Sequence, residues 1–451
     1  MDDYLHPEGA IAVDGYGQQL LDFVGPIILE KFEDSFPSER HIAAALTKDD
    51  IVGELEFNQV DIAGRITRRV FLHNSTTHAL QEDGCKKARD IAEKLLRMSK
   101  RLRAVAGPPF LEKQAFYWAR DTYRGTTSSS LSSHLERSLS EAVKQQTIWF
   151  PLAGLEVETG FKLGPVHIKP VTADFFDQRI KLYAQRNPQK AADIEQSFNE
   201  MRREIQGTAA VVVTMEAEPA HAEAKGLELA DAAAAILRIF SSASLTPWHS
   251  CACAVRGSEH LPRFTAIRAS EDLEVFNWQD GIRDQGRYVW WRMSSIEAEA
   301  HFNAGLASAG ELIADDGLDD FAHRLRSSCL TYARGLATAD LNDRIVQTLS
   351  ALEALLLKDS SESIQQNLGE RMAFLIAKEP EKRLEVVRIL KDAYRMRSQY
   401  VHHLVPTADA QALEEFVFAA HMTFRTALRN LGKVSSQRSF VEALDRMKFG
   451  G

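Results

Sequence analysis

Along this 451-residue chain the spacing of apolar residues changes character once, near Ser294, and that change constrains the fold more than any other feature. Before it, strand-like and helix-like spacings are interleaved; after it, nothing strand-like of any length appears. Apolar residues alternate in Ile51-Val-Gly-Glu-Leu-Glu-Phe57 and Ile66-Thr-Arg-Arg-Val-Phe-Leu72, so a small sheet is expected there. Ala88, Ile91, Leu95, Leu96 and Met98 then follow helical spacing within 81–105. Thr126-Thr-Ser-Ser-Ser-Leu-Ser-Ser133 has no apolar periodicity and reads as a flexible loop or linker. Strand patterns return at 146–156, 160–171 and 209–215, the last a run suited to a sheet covered on both faces. A charged helical stretch, 173–206, separates them. An alanine-rich helix is expected at 224–241, with further strands at 251–255, 264–269 and 288–293.

From Ser294 onward the expected helices are 296–314, 318–336, 342–358, 364–377, 381–404 and 408–431. Asp359-Ser-Ser-Glu362 and Pro406-Thr-Ala-Asp409 supply breaks and caps between them. A chain of this length exceeds one core, since domains usually hold ~100–200 residues. The expected fold class is therefore α+β and multidomain: a mixed α/β region over 1–310, as one or two subdomains, followed by an all-α bundle over 318–451.

The formal charge of −9 gives no global basic field, so any nucleic-acid contact must come from a local patch. Four scattered cysteines fit a reducing compartment better than a disulfide framework. Cys251-Ala-Cys253 lacks a second pair at zinc-ligand spacing and reads as buried strand cysteines. The acidic opening MDDYLHPEGA is unlike a secretory signal, and no stretch approaches the ~20 apolar residues of a membrane span. A cytoplasmic location without membrane contact is expected.

One local patch stands out. From Lys382 onward in the 381–404 helix, Lys382, Arg383, Arg388, Lys391, Arg395 and Arg397 face only Glu385 and Asp392 as acids. Lys391 and Arg395 are candidates for RNA contact. The helix runs into Tyr394-Arg-Met-Arg-Ser-Gln-Tyr-Val-His-His403, and Pro406 should close it. Arg397 and His402 are five residues apart, about 140° around a straight helix. They converge only if the helix is distorted or if two copies meet across a dimer. Cleaving RNA without a metal needs a base for the ribose 2′-OH, an acid for the leaving 5′ oxygen and a fixed cation on the phosphate. Histidine and arginine suit these tasks. Alone, such a pair is more often a solvated helix end that suits the helix dipole.

The pair has company. Ala351-Leu-Glu-Ala-Leu-Leu356, Leu368-Gly-Glu-Arg-Met-Ala-Phe-Leu375 and Tyr394-Arg-Met-Arg-Ser-Gln-Tyr-Val-His402 resemble, in order and spacing, the Apea-like branch of the HEPN superfamily. The resemblance covers about residues 320 to 445. It implies a helical bundle, commonly dimeric, whose R-x4-6-H motif is associated with metal-independent endoribonuclease activity in toxins and antiviral defence proteins. Carried over, Arg397 and His402 are the expected catalytic pair, with Ser398 and Glu353 in supporting roles. His403 stands where a glycine is frequent, which leaves open which histidine enters the cleft, with spacing favouring His402.

The expected function is an endoribonuclease with RNA, tRNA included, as substrate and a homodimer formed through the HEPN domain. It needs no cofactor and no metal. The amino-terminal region would sense a phage or stress trigger, or restrain the nuclease. The rival reading is a non-catalytic protein whose bundle binds RNA or protein while the amino-terminal region carries the main function, and a third makes that region itself an enzyme. Of the remaining features, His73 and His78 read as a polar surface turn, and Tyr288, Trp290 and Trp291 as core aromatics rather than base-stacking groups. No phosphate-cradling glycine loop and no G-x-S-x-G elbow occurs.

Overall fold

A computed structural model describes residues 4–5, 7–27, 56–62, 64–74, 76–259, 261, 263–269, 276–282, 285–359, 361–404 and 409–448. The expected strand residues 51–55 and the break at 405–408 lie outside these. The chain is α+β. It divides into two compact units, 1–146 with 214–225, and 147–213 with 226–451. Among the described residues no helix is long and apolar enough to cross a membrane.

The first unit opens with α1 (Pro7–Leu21) and β1 (Val24–Pro26), followed by β2 (Glu56–Val60), β3 (Ile66–His73) and β4 (Thr76–Leu80). These strands form the expected small sheet, antiparallel in the order β1-β4-β3-β2. Four helices follow: α2 (Glu82–Met98), α3 (Lys100–Val105), α4 (Pro108–Tyr123) and α5 (Leu131–Ala142). The single helix expected over 81–105 is broken at Ser99, whose hydroxyl accepts from the Leu102 amide and caps a new helix. The core gathers Leu20, Phe71, Leu80, Ile91, Leu95, Trp118 and Leu135.

The serine-rich segment is neither a linker nor loosely held. Ser130 caps α5, the Trp118 indole donates to the Ser129 carbonyl at 2.8 Å, and Ser132 donates to both Asp14 oxygens at 2.7 and 2.9 Å. The same hydroxyls that deprive the segment of apolar periodicity supply the bonds that fix it.

The chain continues through β5 (Lys144–Ala153), β6 (Leu155–Val157), β7 (Phe161–Leu163), β8 (Val166–Pro170), α6 (Ala173–Arg186), α7 (Ala191–Ile205), β9 (Ala209–Ala217) and α8 (Pro219–Ile239). Then come β10 (Ser250–Cys251), β11 (Ala254–Val255), β12 (Arg263–Ala269), β13 (Phe276–Ile282), β14 (Tyr288–Val289) and β15 (Trp291–Met293). A five-stranded sheet has the order β11-β5-β9-β8-β7. Its central β9 buries five consecutive residues from Ala209 to Val213, so both of its faces are covered there. The charged stretch between β8 and β9 is two helices, and it buries Phe176 and Ile205 with Val171 and Ala210.

At Ser294 a capping box opens α9 (Ser295–His301): Ser294 accepts from the Glu297 amide and Glu297 accepts from that of Ser294. A π turn (Phe302–Leu306) and α10 (Ala307–Gly310) follow. The bundle comprises α11 (Asp320–Ala337), α12 (Leu341–Leu356), α13 (Ile364–Ile376), α14 (Pro380–His403), α15 (Ala410–Leu428) and α16 (Gln437–Lys448). The boundary expected at 310–318 falls inside the second unit, because the bundle is stapled to the segment before it. Arg344 of α12 donates to the carbonyls of Pro247, His249, Thr246 and Ala243, and Arg425 of α15 to that of Ala304.

Candidate functional site

Pro380 occupies the first turn of α14, where a missing amide costs nothing. Val386, Ile389, Leu390, Ala393 and Met396 then form the buried stripe, and the stripe ends at Met396. The last two turns of α14 therefore run beyond the packed surface. Ser398, His402 and His403 are exposed, with the two imidazole rings 6.4 Å apart. Leu404 closes the helix in the left-handed conformation, φ 53° and ψ 28°, its amide donating to Tyr400.

Glu353 reaches this end of α14 from α12. Its Oε1 accepts from Arg397 Nη1 at 3.1 Å and from the Tyr394 hydroxyl at 2.7 Å. Tyr394 and Arg397 are three residues apart and share a face, so one carboxylate serves both. Burial, and then the bond to Glu353, pushes the Tyr394 hydroxyl well above the ordinary phenol range. The Arg397 side chain stays 34% exposed and only its Nη1 is engaged among the described residues, which leaves Nε and Nη2 free to meet a phosphate.

The expectation of a helix with few acidic partners is corrected by its neighbours. Arg388 pairs with Asp392 and with Glu415 of α15, Arg395 with Asp392, Lys382 with Glu385 and Arg397 with Glu353. Beyond the acids on the helix itself, packing brings two more, Glu415 and Glu353. Lys391 is exposed and carries no ion pair among the described residues. Of the two ways in which Arg397 and His402 could converge, helix distortion is not used, since α14 continues as α-helix through His403.

Sequence reasoning missed Tyr394 as a site residue, although its spacing from Arg397 was the available signal. It also gave no role to Arg371, in the second block of the resemblance. Arg371 is buried and binds Glu362 through both terminal nitrogens, Asp445 through Nε and Nη2, and the Leu356 carbonyl. That network ties α13 to α16 and to the end of α12, and so holds the helix that carries Glu353.

Elsewhere, His73 and His78 are not a surface turn. They lie on β3 and β4, and His78 is buried against Phe71 and Tyr123. Cys251 and Cys253 are buried, and burial raises both thiols. Tyr288 is buried, whereas Trp290 is 55% exposed. Among the described residues no group of three or more His, Cys, Asp or Glu is arranged to hold a metal ion. Comparison of the chain with protein-family models, curated proteins and solved structures finds no match.

Proposed function

We propose that the carboxy-terminal bundle is an endoribonuclease of HEPN type that cuts RNA without a metal, at a cleft completed by a second copy of the chain. The observation that carries this reading is the Glu353 carboxylate, which fixes Arg397 beside an exposed helix end bearing His402 and His403. In the proposed reaction the Arg397 guanidinium binds the scissile phosphate. His402 of one copy takes the 2′-OH proton and its counterpart protonates the leaving 5′ oxygen. The 2′ oxygen bonds to phosphorus as the 5′ bond breaks, leaving a 2′,3′-cyclic phosphate. Ser398 and His403 flank the pair, and Lys391 and Arg395 offer backbone contacts along the helix. A latent nuclease in antiviral defence, released by a signal at the amino-terminal region, fits this reading.

A second reading, a non-catalytic binding bundle, draws support from Val401 and Leu404, which are 52% and 77% exposed on either side of the two histidines. Apolar side chains there suit a protein contact.

The deciding experiment incubates total RNA and tRNA with the purified chain in EDTA, beside Arg397→Ala and His402→Ala. Cleavage that survives chelation, leaves cyclic phosphate ends and vanishes in both variants is the expected outcome. Cleavage persisting in both variants would sink the assigned site. Function in cells that survives His402→Ala would select the binding reading.

A further inference from the structure

The first compact unit contains a concavity of ≈ 440 Å³ beside the β2–β3 turn, walled by Ile66 and Pro109 and carrying three arginines, Arg65, Arg69 and Arg89, against one carboxylate, Glu112. Its volume is in the range of small-molecule sites. Arg69 is 7% exposed, yet among the described residues its side chain meets no acid nearer than Glu112 Oε2, at 3.9 Å, and its guanidinium carbon lies 5.7 Å from the centre of the Phe116 ring. Arg89 lies 3.8 Å from Glu112 Oε1 and, among the described residues, otherwise reaches only the Ile66 carbonyl, at 3.5 Å. Both ion pairs are longer than hydrogen bonds. The Arg65 side chain is exposed and has no ion pair or hydrogen bond among the described residues. A buried guanidinium is costly unless it is closely paired and hydrogen-bonded, and here the pairing is slack, with three guanidinium groups to one carboxylate along the lining.

The geometry points to a binding site for a small phosphate-bearing molecule of mononucleotide size, its phosphate held by Arg69, Arg89 and Arg65 and its organic part against Ile66 and Pro109. Forked guanidinium donors match phosphate oxygens, and a phosphate monoester carries about −1.5 to −2 at neutral pH, which meets the surplus of positive charge where a single carboxylate would not. Burial raises the Glu112 carboxyl above its ordinary range in spite of Arg89 and Arg69, with Glu93 adding to the rise. All of the site's residues lie in the first unit, so ligand binding there can be read without reference to the proposed RNA cleavage.

The test is calorimetric titration and thermal melting of the full chain with AMP, GMP, CMP and UMP, with inorganic phosphate, and with citrate as the carboxylate control. Arg65→Ala/Arg89→Ala removes two donors from positions that are not fully buried and leaves Arg69 in place. Glu112→Gln removes the competing charge. At least one mononucleotide should bind the wild type and, near a hundredfold excess over Kd, raise its melting temperature by roughly 5 °C. The double variant should bind ~10-fold or more weakly, and Glu112→Gln at least as tightly as wild type. Absence of binding by all four nucleotides and by phosphate would overturn the proposal, as would affinity unchanged in the double variant. Citrate binding as tightly as any nucleotide would remove the phosphate assignment. Inorganic phosphate matching the best nucleotide would remove the role of the apolar walls. Glu112→Gln that binds more weakly than wild type and lowers the melting temperature would overturn the role of Glu112 as a competing charge and mark the arginines as its counter-ions.

Discussion

Glu353 Oε1 lies 3.1 Å from Arg397 Nη1, so an acid on α12 fixes the cation that the proposed reaction depends on. Glu353→Ala should lower EDTA-resistant cleavage tenfold or more, because Arg397 would then sample many rotamers and meet the phosphate in few of them. The fold should lose only about 1 kcal/mol, as befits a partly exposed pair. RNA cleavage and urea denaturation of the same preparation separate the two effects. Full cleavage by a variant that is folded would make Glu353 a structural partner only.

Tyr394 shares that carboxylate, and the consequence appears at alkaline pH. Burial and the bond to Glu353 raise the phenol above its ordinary value of 10.0. The folded chain therefore keeps a proton that the unfolded chain gives up. The stability this provides is complete below pH about 10 and declines as pH rises above it. Tyr394→Phe removes the titrating group, so its denaturation midpoint should fall less steeply than that of wild type above pH 10. Parallel curves would show that Tyr394 does not contribute.

How much of this was legible depends on how far apart the partners are in the chain. The course of α14 was readable, since Val386, Ile389, Leu390, Ala393 and Met396 mark one face and Pro380 marks the start. Its paired charges were not: Glu353 is separated from Arg397 by 44 residues, and no local pattern reports such a contact. α1 escaped notice because Gly9, Gly15 and Gly17 depress its helix propensity. Gly17 is there for packing, since a Cβ would sit 3.0 Å from Trp118 and from Leu131. The packing across the expected bundle boundary is illegible in the sequence for the same reason as the charges. The bonds from Arg344 to the loop before β10 span about a hundred residues, and the change in patterning at Ser294 marks where strands end rather than where packing ends.

Arg344 is 1% exposed and meets four carbonyl oxygens and no carboxylate. Burial pushes its pKa down to about 10. Arg344→Met would remove a buried charge but strand those carbonyls, each costing about 1–3 kcal/mol when it finds no replacement donor. A net loss of about 3 kcal/mol or more is expected, measured as the urea midpoint, with the loop before β10 losing hydrogen-exchange protection first. A loss below about 1 kcal/mol would mean that water takes over the carbonyls.

The Arg371 network predicts the acid limit of the second unit. Arg371 draws the Asp445 carboxyl down to about 2 and lowers that of Glu362 as well. Both groups stay ionised in the folded chain after their unfolded counterparts are protonated. Their contribution is present above pH about 4.5 and is lost as pH falls toward 2. Asp445→Asn should flatten the decline in stability between those limits while lowering stability at pH 7. An unchanged acid slope would place the acid sensitivity elsewhere.

Leu404 adopts φ 53° at the end of α14, a left-handed conformation that a side chain with a Cβ enters at a cost of about 1 kcal/mol. The side chain is 77% exposed, so little burial offsets that cost within one chain. Leu404→Gly should therefore stabilise the isolated chain by about 0.5–1 kcal/mol, seen as a higher urea midpoint. If a second copy covers the helix end, as the proposed composite cleft requires, the same substitution removes apolar contact area beside His402. It should then weaken self-association and cleavage together while the fold gains. Stabilisation with self-association and cleavage intact would place Leu404 outside the dimer face. Destabilisation would mean that Leu404 packs against a partner even in the state being melted.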